Sequence, residues 1–374
     1  MPDRNTELQT HIFVTADQDS RYVFRADVNF DFTIKMKLLE DDTQTYHEDH
    51  LYEYAKKNAR LRISHWPQPP TNNDHESMDD YKSALVQLEN RRKRFDGLHT
   101  DKGYTAIAHF WLLKHMINAK EWRFVTDEDN TFLSTIYRVF EKEISDGYAH
   151  HLLKKTDTTK TRKERLIEYY KGNPDDELLQ MIVRYLRSGS SSGYRAANEA
   201  AHTYLRREIE KSLCYASTPY PAEVNQTLGL SPSTSSHERT YMNKPPTLVT
   251  HPIPTRDTGY SQVGITTDVN NLSVDDLIKM FLKTNTRATD AFFQAIHRNI
   301  NILERPLVGA QDGSKSYIYA NLNPRYAQYA VTFLRTYYNF CKPMNLGGKG
   351  YKTPAQFLGI ADKKYSLDDI LYFR

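Results

Sequence analysis

HIFVTAD, His11 to Asp17, followed by YVFRADVNFD, Tyr22 to Asp31, reads as two strands joined by the short turn Gln18, Asp19, Ser20, Arg21. In the second strand Tyr22, Phe24, Ala26, Val28 and Phe30 alternate with Val23, Arg25, Asp27, Asn29 and Asp31. A period of two with one mostly polar face is the signature of a strand that rests one side on a core. This is the clearest hairpin in the chain, and the elements on its C-terminal side extend it into a larger α/β arrangement.

The segment from Asp41 to Asp101 is charged, contains the turn-rich WPQPPTNND and ends in the basic run RRKR at Arg91, Arg92, Lys93 and Arg94. It reads as an elaborated connection, residues 41–101, with one helix at Met78 to Lys93. Thr105 to Asn118 has apolar residues at helical spacing, and Glu121 to Asp127 (EWRFVTD) reads as a strand with Trp122, Phe124 and Thr126 on one side. A helix from about Thr131 to Ile144 follows, with Asp129 or Asn130 as its N-cap. Strand, strand, connection, helix, strand, helix is an α/β pattern with a mixed sheet.

From Lys154 to Arg165 the chain is basic (KKTDTTKTRKER), and helices are expected at Glu177 to Arg187 and Tyr194 to Leu213, on either side of SGSSSG. Ser217 to about Asp268 is rich in Pro, Ser, Thr and Asn; with little apolar area to offset its ordering entropy, it reads as an extended or disordered arm. Helical periodicity resumes behind Ser273, whose side chain caps SVDDLIKMFLKT with Asp276 three residues on. It continues from Ala288 to Leu303, where Glu304 flanks the stripe Phe292, Ile296, Ile300 and Leu303 in the final turn before Pro306. The tail from Asn323 to Arg374 is basic and aromatic-rich.

Composition narrows the function. Of 374 residues, 50 are Lys or Arg and 47 Asp or Glu, a formal charge of +3. Met1 to Asn90 holds 17 acidic and 10 basic side chains, leaving 30 acidic and 40 basic in the remainder, so the balance swings from −7 to +10. Such a split favours an acidic site facing a basic surface over a uniformly basic coat. Mean hydropathy is −0.71 although 39% of residues are apolar, so some segments lie outside any core. Two cysteines, Cys214 and Cys341, are too few for a disulfide framework or a Cys-rich zinc site, which points to a reducing compartment. The N-terminus lacks the basic and apolar regions of a secretory signal, and no apolar run is long enough for a membrane span.

Three acids carry the chemistry. Asp17 ends the first strand, Asp127 ends a later strand just before a helix, and Glu304 borders a helix's apolar stripe. In open α/β sheets, ligands bind outside the carboxyl ends of strands. Three carboxylates gathered there would repel one another unless cations were bound. Hard divalent ions take oxygen ligands, and a pair of them stabilises the entering and leaving oxygens of a phosphodiester displacement. Asp19 is the rival of Asp17 for the first position.

Asn299 to Pro306 (NINILERP), Tyr337 to Phe340 (YYNF) and Thr353 to Ile360 (TPAQFLGI) resemble, in that order, the last third of DDE-type transposases and integrase-like recombinases. HIFVTAD with YVFRADVNFD resembles the first two strands of their RNase H-like core, and EWRFVTDED the strand that delivers the second aspartate. The resemblance implies an RNase H-like mixed sheet flanked by helices, interrupted by a helical insertion and a partly disordered linker. It implies residues 1–153 as the first part of the core, 154–272 as a basic helical insertion plus linker, and 273–374 as the end of the core with a basic aromatic tail. It further implies Asp17, Asp127 and Glu304 as catalytic ligands of two Mg²⁺ or Mn²⁺ ions, DNA as element end and target, and a homo-oligomer in the cytoplasm associated with the nucleoid. A transposase-derived DNA-binding protein without catalysis and an RNase H-like nuclease are the alternatives. Such transposases carry an end-reading domain ahead of the core; ten residues before His11 hold none, so end recognition is expected elsewhere, or the chain is a truncated or remnant form.

Arg91, Arg92, Lys93, Arg94, Lys154, Lys155, Lys160, Arg162, Lys163, Arg305 and Lys349 are the expected phosphate contacts. HEDH at His47 to His50 reads as a solvated face, and His150 with His151 has no partner pattern. NLGGKGYKTP, around Gly347, lacks P-loop spacing and reads as a flexible basic loop near DNA. No Ser/His/Asp or Cys/His nucleophile pattern is legible.

Overall fold

The structure, a computed structural model, describes residues 11–31, 70, 77–95, 98–100, 102–216, 248–269, 272–300, 303, 307–308, 315–316, 324–348 and 350–372. The chain divides into two compact units, Met1–Asn118 with Thr286–Arg374, and Ala119–Asn285. Each has its own hydrophobic core.

The first unit is built on the expected hairpin. Ile12–Ala16 pairs antiparallel with Val23–Val28, Phe13 opposite Asp27 and Thr15 opposite Arg25, with an irregularity between Thr15 and Ala16. Ile12, Val14 and Ala16 turn one face toward a cluster that includes Ala26, Val28, Phe292, Ile296, Val331 and Tyr338. Helices Arg287–Asn299 and Pro324–Phe340 supply the far side of that cluster, and each fully buried Phe or Ile there contributes about 2 kcal/mol.

Polar side chains of the Pro324–Phe340 helix bond the backbone of Val23–Val28. Gln328 accepts from the Val28 N–H at 2.8 Å and donates to the Ala26 carbonyl, and Arg335 donates to the Phe24 carbonyl. Asn339 accepts from the Val23 N–H and donates to the Val23 carbonyl, both at 2.9 Å. Successive rungs of a strand edge are thus satisfied by a helix, which removes the template for pairing with another chain.

The second unit contains a four-stranded mixed sheet with helices on its faces, in the order Trp122–Asp127, Ala149–Thr156, Ser261–Ile265, Val249–Thr250. The first pair is parallel and the other two antiparallel. Leu152, Val249 and Val263 pack with helices Glu177–Arg187, Ser191–Ala216 and Val274–Lys283. Trp122 and Phe124 meet Phe140, ring centres 5.0 and 4.7 Å away.

Several expectations change. The helix placed at Thr131 to Ile144 is two, Asn130–Val139 and Glu141–Ser145, because Phe140 (φ −111°, ψ 23°) leaves helical geometry to fill the space beside Trp122. The boundary expected between Leu153 and Lys154 falls inside the strand Ala149–Thr156, so the basic run begins as a strand of the sheet. Residues 217–247 of the expected arm lie outside the described residues, whereas 248–269 form two strands. Val263 is fully buried there, so this part does bury apolar area. The helix expected to hold Glu304 in its last turn ends at Asn299, with Ile300 extended at its C-cap. The Gly-rich loop is the turn of a hairpin, Met344–Asn345 with Tyr351–Lys352, and Gly347, Gly348 and Gly350 adopt the positive φ that this turn requires.

Candidate functional site

Asp17 follows directly on the strand Ile12–Ala16 and is half-buried. Its Oδ2 accepts from the Ser20 N–H and from the Ser20 hydroxyl, both at 2.6 Å, while its own N–H donates to the Tyr22 carbonyl at 2.7 Å. One carboxylate oxygen therefore closes the turn, a local competition typical of Asp. Asp19, the rival, is exposed on the same turn.

Asp127 is the last residue of Trp122–Asp127 and is exposed. It stands in register with Lys154 on the parallel neighbour, a lysine only 9% exposed. Asp129 caps the next helix, its Oδ1 accepting from the Thr131 N–H at 2.8 Å. Asp17 and Asp127 belong to different units. Glu304, Arg305 and Lys349 lie outside the described residues, and so does the HEDH of His47 to His50. Among the described residues, no group of three His, Cys, Asp or Glu side chains is placed to hold a metal ion. What Asp17 and Asp127 share is donor chemistry: hard carboxylate oxygens at the carboxyl ends of strands, the type that Mg²⁺ takes.

The expected phosphate contacts divide by surroundings. Lys154 is buried; Lys155 pairs with Glu128 at 2.8 Å and Lys160 with Glu168 at 2.9 Å. Lys93 is exposed and lies 3.6 Å from Glu89, and Arg91, Arg92 and Arg94 lie on the same helix, Met78–Phe95. Arg162 and Lys163 are exposed in the first turn of Arg162–Lys171.

Two buried histidines beside the strand ends were not legible as partners in the sequence. In the first unit, His109 from helix Lys102–Met116 reaches the hairpin's polar face, its Nε2 2.7 Å from Thr15 Oγ1 and its Nδ1 2.6 Å from Asp27 Oδ2. Arg25 grips the same carboxylate, donating from Nε at 2.9 Å and from a terminal nitrogen at 2.8 Å. Burial alone would raise the Asp27 pKa, but His109 and Arg25 outweigh it and hold the carboxyl well below its ordinary range. Hydroxyl, imidazole and carboxylate stand in the order of a hydrolytic triad. Yet His109 is 1% exposed and Arg25 neutralises the carboxylate that would strengthen a base, so the chain ties the strand to the helix rather than activating Thr15.

In the second unit His151 lies between Thr126 Oγ1, 2.8 Å from Nε2, and Thr266 Oγ1, 2.7 Å from Nδ1. Tyr137 donates to the Thr266 carbonyl at 2.6 Å. Full burial pushes the His151 pKa down to about 4, so it is neutral and donates through one nitrogen while accepting through the other. Thr126 directly precedes Asp127, and Thr15 precedes Asp17 by two residues. The only sequence signals for these links were His109 inside the apolar AIAHFWLL and the pair His150 and His151 ahead of Leu152.

No protein-family model, no curated protein and no solved structure matches the chain in the comparisons made. Among the described residues no helix is long and apolar enough to cross a membrane.

Proposed function

We propose that the protein is a DDE-type transposase that cleaves DNA at an element end and joins it to a target, with Asp17, Asp127 and Glu304 as the ligands of two Mg²⁺ or Mn²⁺ ions. The observation that carries the reading is Asp127, exposed at the carboxyl end of a strand with a parallel neighbour and immediately ahead of a helix, where an α/β sheet presents its ligands. The ordered motifs NINILERP, YYNF and TPAQFLGI support it. When bound, such ions would supply nucleophile activation and neutralise charge on the phosphate. The chain's own part is orientation: the Thr126–His151–Thr266 link holds the strand next to Asp127, and the Thr15–His109–Asp27 link holds the strand that leads to Asp17. The RNase H-like form of the sheet, homo-oligomeric assembly on DNA ends and association with the nucleoid belong to the same proposal.

The second reading, a transposase-derived DNA-binding protein without catalysis, is favoured by one feature. Lys154 stands in register with Asp127, and Lys155 engages Glu128, which makes that strand end less acidic than a two-ion site requires. The measurement that separates the readings is strand cleavage and joining of 3′-hydroxyl DNA ends in Mg²⁺. Asp127→Asn is expected to abolish both while DNA affinity is kept or raised. A variant as fast as the parent removes Asp127 from the site, and a parent that binds DNA without cutting it establishes the second reading. Cleavage without joining identifies a nuclease.

A further inference from the structure

We infer that the second unit carries a phosphate-backbone-binding face on helices Arg162–Lys171 and Glu177–Arg187, and that duplex DNA occupies it. On the first helix Lys163, Ile167 and Tyr170 follow at steps of four and three and are all exposed, which places them in one row. On the second, Met181, Arg184 and Arg187 follow at steps of three and are likewise exposed. The Arg187 guanidinium lies 4.4 Å from the centre of the Tyr170 ring and joins the two rows into one surface.

The cations of this face have no ion-pair partner among the described residues, although Glu177 is exposed one turn ahead of Met181 on the second helix. Among the described residues Lys163, Arg184 and Arg187 have no carboxylate within salt-bridge distance, in contrast with Lys155 and Lys160 of the basic run. The nearby acids of the first helix are engaged: Glu164 closes the capping box with Thr161, and Glu168 takes Lys160 and accepts from the Tyr260 N–H at 2.9 Å. A guanidinium placed over a tyrosine ring is held near the surface with donors in the planar fork that suits the paired oxygens of a phosphodiester. Cations interleaved with an exposed aromatic and flanked by aliphatic side chains suit a sugar-phosphate strand better than an acidic protein segment, which would need the charges alone. The inference rests on the proposed function only in taking DNA as the nucleic acid, and it names residues separate from the carboxylates of the reaction.

Binding of a fluorescein-labelled DNA duplex to the full chain, followed by anisotropy over a series of salt concentrations, tests it. The double variant Arg184→Glu/Arg187→Glu is expected to lose about tenfold or more in affinity at low salt and to flatten the log–log salt slope by roughly 2. Tyr170→Ala is expected to weaken binding less, by releasing Arg187 from its position over the ring. Both sites are exposed, so the thermal transition stays in place, and an unmoved transition excludes misfolding as the cause. Duplex affinity within twofold of the parent overturns the inference. So does a polyglutamate competitor that displaces the duplex at equal charge concentration from the parent and not from the variant, because the face then takes acidic protein. Asp127→Asn keeps the two ideas apart: it is expected to abolish joining with duplex affinity at or above the parent's, whereas Arg184→Glu/Arg187→Glu is expected to lower duplex affinity.

Discussion

His151 and Asp27 show what single buried groups do to stability, and they act in adjacent pH windows. His151 has its pKa lowered in the folded state to about 4 from an unfolded value of 6.5. Between those values the unfolded chain binds more protons than the folded one, so stability is fully present above pH 6.5 and is lost as the pH falls toward 4. The expected loss is about 3 kcal/mol. Asp27, also lowered, contributes stability that is present above its unfolded pKa and begins to disappear as the pH falls through that value. Urea midpoints measured from pH 7 to pH 3 should therefore fall in two stages. His151→Gln should shrink the first stage to the part that His150, also lowered by burial, contributes and leave the second, and a variant with an unchanged first stage assigns it to another group. Neither effect is visible in the sequence, since the partners of His151 are Thr126 and Thr266, 25 and 115 residues away.

At the scale of elements, the link between Pro324–Phe340 and the hairpin depends on side chains spaced along one helix face. Asn339 is 2% exposed and satisfies both backbone groups of Val23. Asn339→Ala leaves a buried N–H and a buried carbonyl without partners, a cost of about 3 kcal/mol. The check is a denaturant midpoint shift at unchanged m-value, with Gln328→Ala, a half-buried position, costing less. A cost for Asn339→Ala no larger than that for Gln328→Ala would show that Val23 is satisfied some other way. The hairpin itself and the caps at Asp129 and Ser273 were readable because each depends on neighbours within a few residues: Asp129 accepts from Thr131 N–H, and Ser273 from Asp276 N–H. The strand Ala149–Thr156 was not, because it is buried on both faces and its His, Leu and Lys carry no period of two. Ser261–Ile265 was hidden by the polar composition of the stretch around it, although its own residues bury Val263 between two strands.

For the whole molecule, the two separate cores make a prediction about folding. The cluster around Leu152, Leu179, Leu205, Val263 and Phe281 lies entirely within Ala119–Asn285. That unit is contiguous in sequence and within the usual size of an independent domain. Residues 119–285 expressed alone are expected to unfold in one cooperative transition with slowly exchanging amides in the Ala149–Thr156 strand. A broad transition with unprotected amides would show that the unit depends on the rest of the chain. The first unit is made from two distant parts of the sequence, so neither 1–118 nor 286–374 alone is expected to share that behaviour.

The sequence by itself determined the α/β class, the hairpin and its polar face, most helices with two of their caps, and the placement of Asp17 and Asp127 at strand ends, because all of these follow from local periodicity and short-range hydrogen bonds. Tertiary structure alone decided that the basic run beginning at Lys154 enters as a sheet strand, that the helix ahead of Glu304 stops at Asn299, that Lys155 and Lys160 are taken by Glu128 and Glu168, and that Arg187 lies over the Tyr170 ring. It also decided that Asn339, a residue of a sequence motif, serves as a strand edge for Val23. The physical reason is common to all of them: a charge or a polar group is defined by what stands within a few ångströms of it, and those neighbours come from chain positions that no local pattern connects.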